Sequence, residues 1–206
     1  MYIPKINLAT DRAEIIDFMK RFSFATIITS KNNLPVATHL PFVISEKDEN
    51  LVLISHFAKA NNQWEDIESN TVLIIFTEPH AYISPANYTK ELNVPTWNYI
   101  SVHAYGKGKI ISDTESTYKI LESTIASYEP GYRKQWDHFP EEYKLKMSKG
   151  IVAFEITVND LHAKKKLSQN RSETEQQNII NNLSGSKDDN ERIIADYMKH
   201  NQDPIK

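Results

Sequence analysis

Hydrophobic and polar positions recur along this chain with two periods, and each change of period marks a new element. Over residues 11–22 the apolar positions Ile15, Ile16, Met19 and Phe22 stand at helical spacing, with Asp11 placed to cap the first turn and Glu14 three residues later. This predicts a helix. Over 24–29 β-branched residues dominate, and Lys31-Asn32-Asn33 reads as a turn into a second extended stretch over 35–44. Another polar turn over 45–50 precedes the apolar run 51–56. Strands joined by turns this short predict an antiparallel meander.

Trp64 and Ile67 predict a short helix within 58–68. The run 72–76 is continuously apolar and too short for a helix, which suits a strand covered on both faces. Residues 79–95 carry Pro79, Pro85 and Pro95 and read as a long loop, of a length that is often functional. A long strand follows over 97–111, with Ile100, Val102 and Ala104 facing one side and Ser101, His103 and Tyr105 the other. Helices are expected over 114–127 and 141–147, and a half-exposed strand over 151–158. Past Arg171 the chain changes character. Ser172 with Glu175 makes a capping box, Ile179, Ile180 and Leu183 form a stripe, and Gly185 stops that helix. A last helix puts Ile193, Ile194, Tyr197 and Met198 on one face. About six strands in short-turn order predict a mainly β, α+β fold: a closed or partly closed antiparallel barrel flanked by helices. The barrel is assigned to 1–171 and a C-terminal helical extension to 172–206.

Composition narrows the chemistry. A chain of 206 residues suits one large domain, or one with a small appendage. With no cysteine, thiol nucleophiles, zinc–cysteine sites and iron–sulfur clusters are excluded. That composition and a start lacking the basic-then-apolar design of a signal peptide fit a cytoplasmic protein. No apolar run has the ~18 residues of a transmembrane helix. The formal charge of −3 argues against a general nucleic-acid binder. Gly106 and Gly108 are followed by Ile111 where a third dinucleotide-binding glycine would stand. Ser84, between Ile83 and Pro85, lacks a nucleophile elbow, and the histidines lack metal-ligand spacing, so no metal is expected. The run Lys164-Lys165-Lys166 with Arg171 is read either as a solvated strand end or as a clamp for phosphate or an acidic partner.

Polar groups gather where strands end: Thr38, His39, His56, Lys59, Asn61, Tyr82, Ser84, Trp97 and Asn98. An apolar slot ringed by convergent donors is a small-molecule site, and the Tyr and Trp supply suits a planar ligand. A phosphate on that ligand would be met by Lys59, His56 and hydroxyls.

The segments Thr38-His39-Leu40-Pro41-Phe42, His56-Phe57-Ala58-Lys59-Ala60-Asn61, His80-Ala81-Tyr82-Ile83-Ser84-Pro85, Val94-Pro95-Thr96-Trp97-Asn98-Tyr99 and Lys166-Leu167-Ser168-Gln169-Asn170-Arg171 resemble the PaiB family, in order along the chain. The resemblance implies an FMN-binding split β-barrel similar to the pyridoxamine phosphate oxidase-like flavoproteins, a homodimer with flavin at the interface, and a negative transcriptional regulator. It implies that Lys59 and Asn61 lie near the flavin phosphate and that Thr38 and His39 border the isoalloxazine. Trp97, Asn98 and Ser101 would lie on the strand that completes the site. No helix-turn-helix is recognisable, so direct DNA binding is not expected. A flavin-dependent oxidoreductase and a haem-binding relative of the same barrel are the alternatives.

Overall fold

The computed structural model describes residues 1–202; the last four residues of the C-terminal extension lie outside the described residues. Seven strands form one antiparallel sheet: β1 (Phe24–Lys31), β2 (Leu34–Pro41), β3 (Val43–Lys47), β4 (Asn50–Ala58), β5 (Thr71–Ile83), β6 (Thr96–Ile111) and β7 (Ile151–Lys166). Six α-helices accompany them: α1 (Arg12–Arg21), α2 (Thr114–Tyr128), α3 (Arg133–His138), α4 (Glu141–Ser148), α5 (Glu173–Ser184) and α6 (Asp189–Gln202). No helix among the described residues is long and apolar enough to cross a membrane.

The strand order β2-β1-β5-β6-β7-β4-β3 replaces the expected meander. The stretch expected as one strand over 35–44 breaks at Phe42, which is 1% exposed and whose N–H donates to the Ser23 carbonyl at 2.9 Å. Burying that ring turns the backbone. The hairpins β1–β2 and β3–β4 therefore end at opposite sides of the order, while β2 and β3 stay joined through one residue. A sheet whose two edge strands are joined in this way closes on itself. Both hairpins turn on residue pairs with positive φ, Asn32-Asn33 and Asp48-Glu49, which match the twist of the strands they link.

Contacts divide the chain into two compact units. The first comprises Ile16–Phe76 and His103–Leu161. Its centre is a phenylalanine cluster: Phe42 meets Phe76 and Phe154 edge-on at 6.0 and 6.3 Å, and Phe57 stacks on Phe154 at 4.9 Å. Such pairs contribute about 0.5–1.5 kcal/mol each beyond burial. Ile120 of α2 packs on Val52, Ile54 and Ala153. Gly106 and Gly108 serve close approach. A Cβ at Gly106 would meet the Thr157 carbonyl, and one at Gly108 would lie 2.8 Å from the Ile67 carbonyl.

The second unit comprises Met1–Ile15, Thr77–Val102 and the chain from His162 on. Here α5 and α6 bury Ile179, Ile180, Leu183, Ile194 and Met198 from the expected stripes, with Ile193 and Tyr197 half-buried, and the capping box of Ser172 and Glu175 is formed in full. Three expectations change. The strand β5 continues to Ile83, because Ala81 and Ile83 stay buried while His80 and Tyr82 stay exposed, so the irregular loop is only 84–95. The strand β7 continues eight residues past Val158 and takes in the lysine run. Within 58–68 the only helical turn is a 3₁₀ turn, Asn62–Asp66, and α3 was not foreseen.

The lysine run is not a solvated end. Lys164 is 8% exposed, with its ammonium 5.1 Å from the Tyr99 ring and donating to the Tyr2 carbonyl at 3.4 Å. Lys165 pairs with Glu14 at 2.6 Å, and Lys166 donates to the Trp97 carbonyl at 2.7 Å and to the Thr96 hydroxyl. The Arg171 guanidinium lies 3.7 Å over the Tyr88 ring and donates to Asn93 at 2.8 Å.

Candidate flavin site

In the first unit, Asn61 caps the 3₁₀ turn by accepting from the Gln63 N–H at 3.1 Å. Its amide then donates to the Thr38 hydroxyl at 2.9 Å, and that hydroxyl donates to the Gln63 side-chain oxygen at 2.6 Å. Gln63, 4% exposed, donates in turn to the carbonyls of Val36 at 3.0 Å and Ile27 at 3.3 Å. A buried amide with every bond made is a rigid support, so Thr38 and Asn61 are held in fixed positions on β2 and the turn. Gln63 was not singled out from the sequence. Its only signal is its place two residues after the capping asparagine.

Two residues before Asn61, Lys59 is exposed. Its ammonium lies 4.8 Å from the Trp64 ring centre, and the Trp64 indole donates to the Lys59 carbonyl at 3.3 Å. His39 neighbours Thr38 on β2 but projects to the opposite face, as successive strand residues do. There it contacts the Thr26 hydroxyl at 3.2 Å and the exposed Phe24 ring edge-on at 6.4 Å. His56, half-buried on β4 opposite Ala153, has its pKa lowered by burial, which disfavours the imidazolium.

The second unit holds the other five residues. Tyr82 and His80 meet the Trp97 ring edge-on at 5.8 and 5.6 Å, and Tyr82 and Trp97 are both about half exposed. This is a small aromatic platform. Ser84 caps the turn Pro85–Asn87 by accepting from the Ala86 N–H. Asn98 is fully buried, accepting from Ser168 at 3.0 Å and facing the Met198 sulfur at 3.4 Å. Ser101 is 5% exposed. Asn98 and Ser101 are embedded in their own unit, and Ser84 is half-buried. The Lys166–Arg171 motif fastens the start of β6 and the loop 84–95, and so fixes Trp97.

Residues 1–160 match the family described as "Putative FMN-binding domain". The chain belongs to this FMN-binding family. Over 202 residues it is 40% identical to protease synthase and sporulation protein PAI 2 of Bacillus subtilis, a PaiB protein, with 97% of each chain covered. The likeness to PaiB read from the motifs is borne out. Among solved structures, the chain resembles the flavocytochrome Anf3 of Azotobacter vinelandii (TM-score 0.63, 14% identity, 80% of this chain and 72% of that one). It also resembles the FAD and heme binding protein of Mycobacterium smegmatis (TM-score 0.61, 15% identity, 78% and 73%). Identities this low speak for the fold alone, which is the antiparallel split barrel.

FMN is the cofactor of this FMN-binding family. The residues fit it: Lys59 is an exposed ammonium with no carboxylate partner among the described residues, and the Asn61 amide keeps a second N–H for an anion while Thr38, its hydroxyl proton given to Gln63, holds that amide in place.

Proposed function

We propose that this FMN-binding protein is a flavin-linked regulator or sensor of the PaiB type, with the flavin phosphate held by Lys59 beside Asn61 and Thr38. The observation that carries the reading is the exposed Lys59 ammonium, with no carboxylate partner among the described residues, two residues before Asn61 and its bonds to Thr38 and Gln63. When bound, FMN supplies electron transfer at its ring system. The protein's part is to grip the phosphate, cover one flavin edge and limit water. The regulatory reading is supported by the 40% identity to a sporulation protein of Bacillus subtilis.

The exposed Tyr82–Trp97 ring pair is suited to a second copy of the chain, and we expect a homodimer with flavin at the interface. The lysine run does not favour direct DNA binding, since its charges are engaged within the chain. FMN titration followed by the visible spectrum, with sedimentation of the loaded protein, tests this. An absorbance band near ~450 nm on a dimer is the expected result. A Soret band, or NAD(P)H consumption with a cosubstrate, would turn the reading toward a haem protein or an oxidoreductase.

A further inference from the structure

The first unit carries a cleft of about 430 Å³ between α2, α4 and the adjoining ends of β6 and β7. Its floor is apolar: Ile110 and Ile111 from β6, and Val152 and Ala153 from β7. The cleft stays open for a reason visible in the residues. Ile120 seats α2 on the barrel, but in the two turns before it the helix presents only Thr114 and Thr117, while α4 contributes Leu145 and Ser148. Threonine and serine side chains on the α2 side are too small to fill the space above an isoleucine floor.

The rim has one sign of charge. Lys59 and Lys149 are both exposed at the cleft, and neither is paired with a carboxylate among the described residues. The Lys59 N–H donates to the Gly150 carbonyl at 2.8 Å, which fixes the two lysine-bearing segments side by side. The acids about the α2 wall and the floor are engaged: Asp113 caps the helix at the Ser116 N–H, Glu115 pairs with Lys119, and Glu68 accepts from the Ile110 N–H at 2.8 Å.

We propose that this cleft is a binding site for a small organic anion with an apolar body, its charge met at Lys149, which the flavin reading does not use, and its hydrocarbon laid on Ile110, Ile111 and Val152. The volume lies within the range of small-molecule sites, and an apolar floor under a cationic rim selects against both cations and fully hydrated inorganic anions. The proposal goes beyond the flavin reading, and because Lys59 stands at the same rim the test must tell the two apart.

Octanoate is the probe, titrated calorimetrically into the full chain loaded with FMN, with 1-octanol and octylamine as controls. One saturable octanoate site per chain is expected, with FMN absorbance unchanged. The variant Lys149→Glu should weaken it about tenfold or more, the scale of a lost charge-assisted contact. Thr114→Trp, at an exposed position on the rim, should block it. Absence of saturable binding, equal binding of octylamine, or retention of binding by both variants overturns the proposal. Release of FMN by octanoate also overturns it, because the cleft would then belong to the flavin. If the chain takes up no FMN, the flavin reading fails and the same titration on the flavin-free chain still decides the cleft.

Discussion

Glu175 and Thr89 lie 86 residues apart, yet one carboxylate oxygen of Glu175 accepts from both the Thr89 N–H at 3.0 Å and its hydroxyl at 3.1 Å. The other oxygen closes the capping box on Ser172. One side chain thus starts α5 and ties down the loop 84–95. The Thr89 backbone bond, above all, holds the Glu175 carboxyl below its ordinary pKa of 4.5. A depressed native pKa stabilises the fold fully above that ordinary value and is lost as pH falls through the native one. Glu175→Gln should therefore lower the urea midpoint at pH 7, and its effect should shrink as pH falls below 4.5 and the folded parent also takes up the proton. Urea titrations at pH 7 and at a series of lower pH values check this.

Burial works the other way on His56. Its native pKa lies below 6.5, so the unfolded chain takes the proton first as pH falls. Stability at this site declines from pH 6.5 downward until the native pKa is passed. His56→Asn should flatten the stability profile over that interval relative to the parent, as read from denaturant midpoints between pH 7 and 5.

Gly106 has an ordinary φ, so its requirement is space. Gly106→Ala pushes a methyl group against the Thr157 carbonyl and the Ile156 side chain, at a cost of about 1–3 kcal/mol. Chemical denaturation should show the loss, and an unchanged midpoint would refute the close approach.

Lys59→Ala should remove a charge-assisted bond to the flavin phosphate worth ~1.5–3 kcal/mol, about tenfold or more in affinity. Riboflavin, which lacks the phosphate, should be little affected. Equal weakening of both ligands would show that Lys59 does not touch the phosphate.

With Lys164, Lys165, Lys166 and Arg171 occupied inside the chain, no strong salt-dependent DNA binding is expected, since each phosphate contact contributes about 0.9 to the salt slope. Anisotropy titrations with the protein's own upstream DNA at ~150 mM salt should show no sequence-selective binding below micromolar concentration. Submicromolar, selective binding would overturn this.

What could be read along the chain was whatever neighbours decide. Asp11 caps toward Glu14, Ser172 pairs with Glu175, Asn32-Asn33 turns a hairpin and the stripes of α5 and α6 are buried, all through residues within a few positions of one another. Thr38, Lys59 and Asn61 already stood out as polar groups at strand ends, and the resemblance added the family and the flavin contacts it implies for them. The break at Phe42, the strand order, the Gln63 support and the fate of the lysines were not legible. Thr38 meets Gln63 across 25 residues, Lys166 meets Trp97 across 69 and Lys165 meets Glu14 across 151. A run of lysines looks solvated in one dimension because its neutralising partners are absent from the local sequence. Chain closure brings a glutamate, two carbonyls and two tyrosine rings to those lysines, because charges carried into a barrel must be bonded where they are buried.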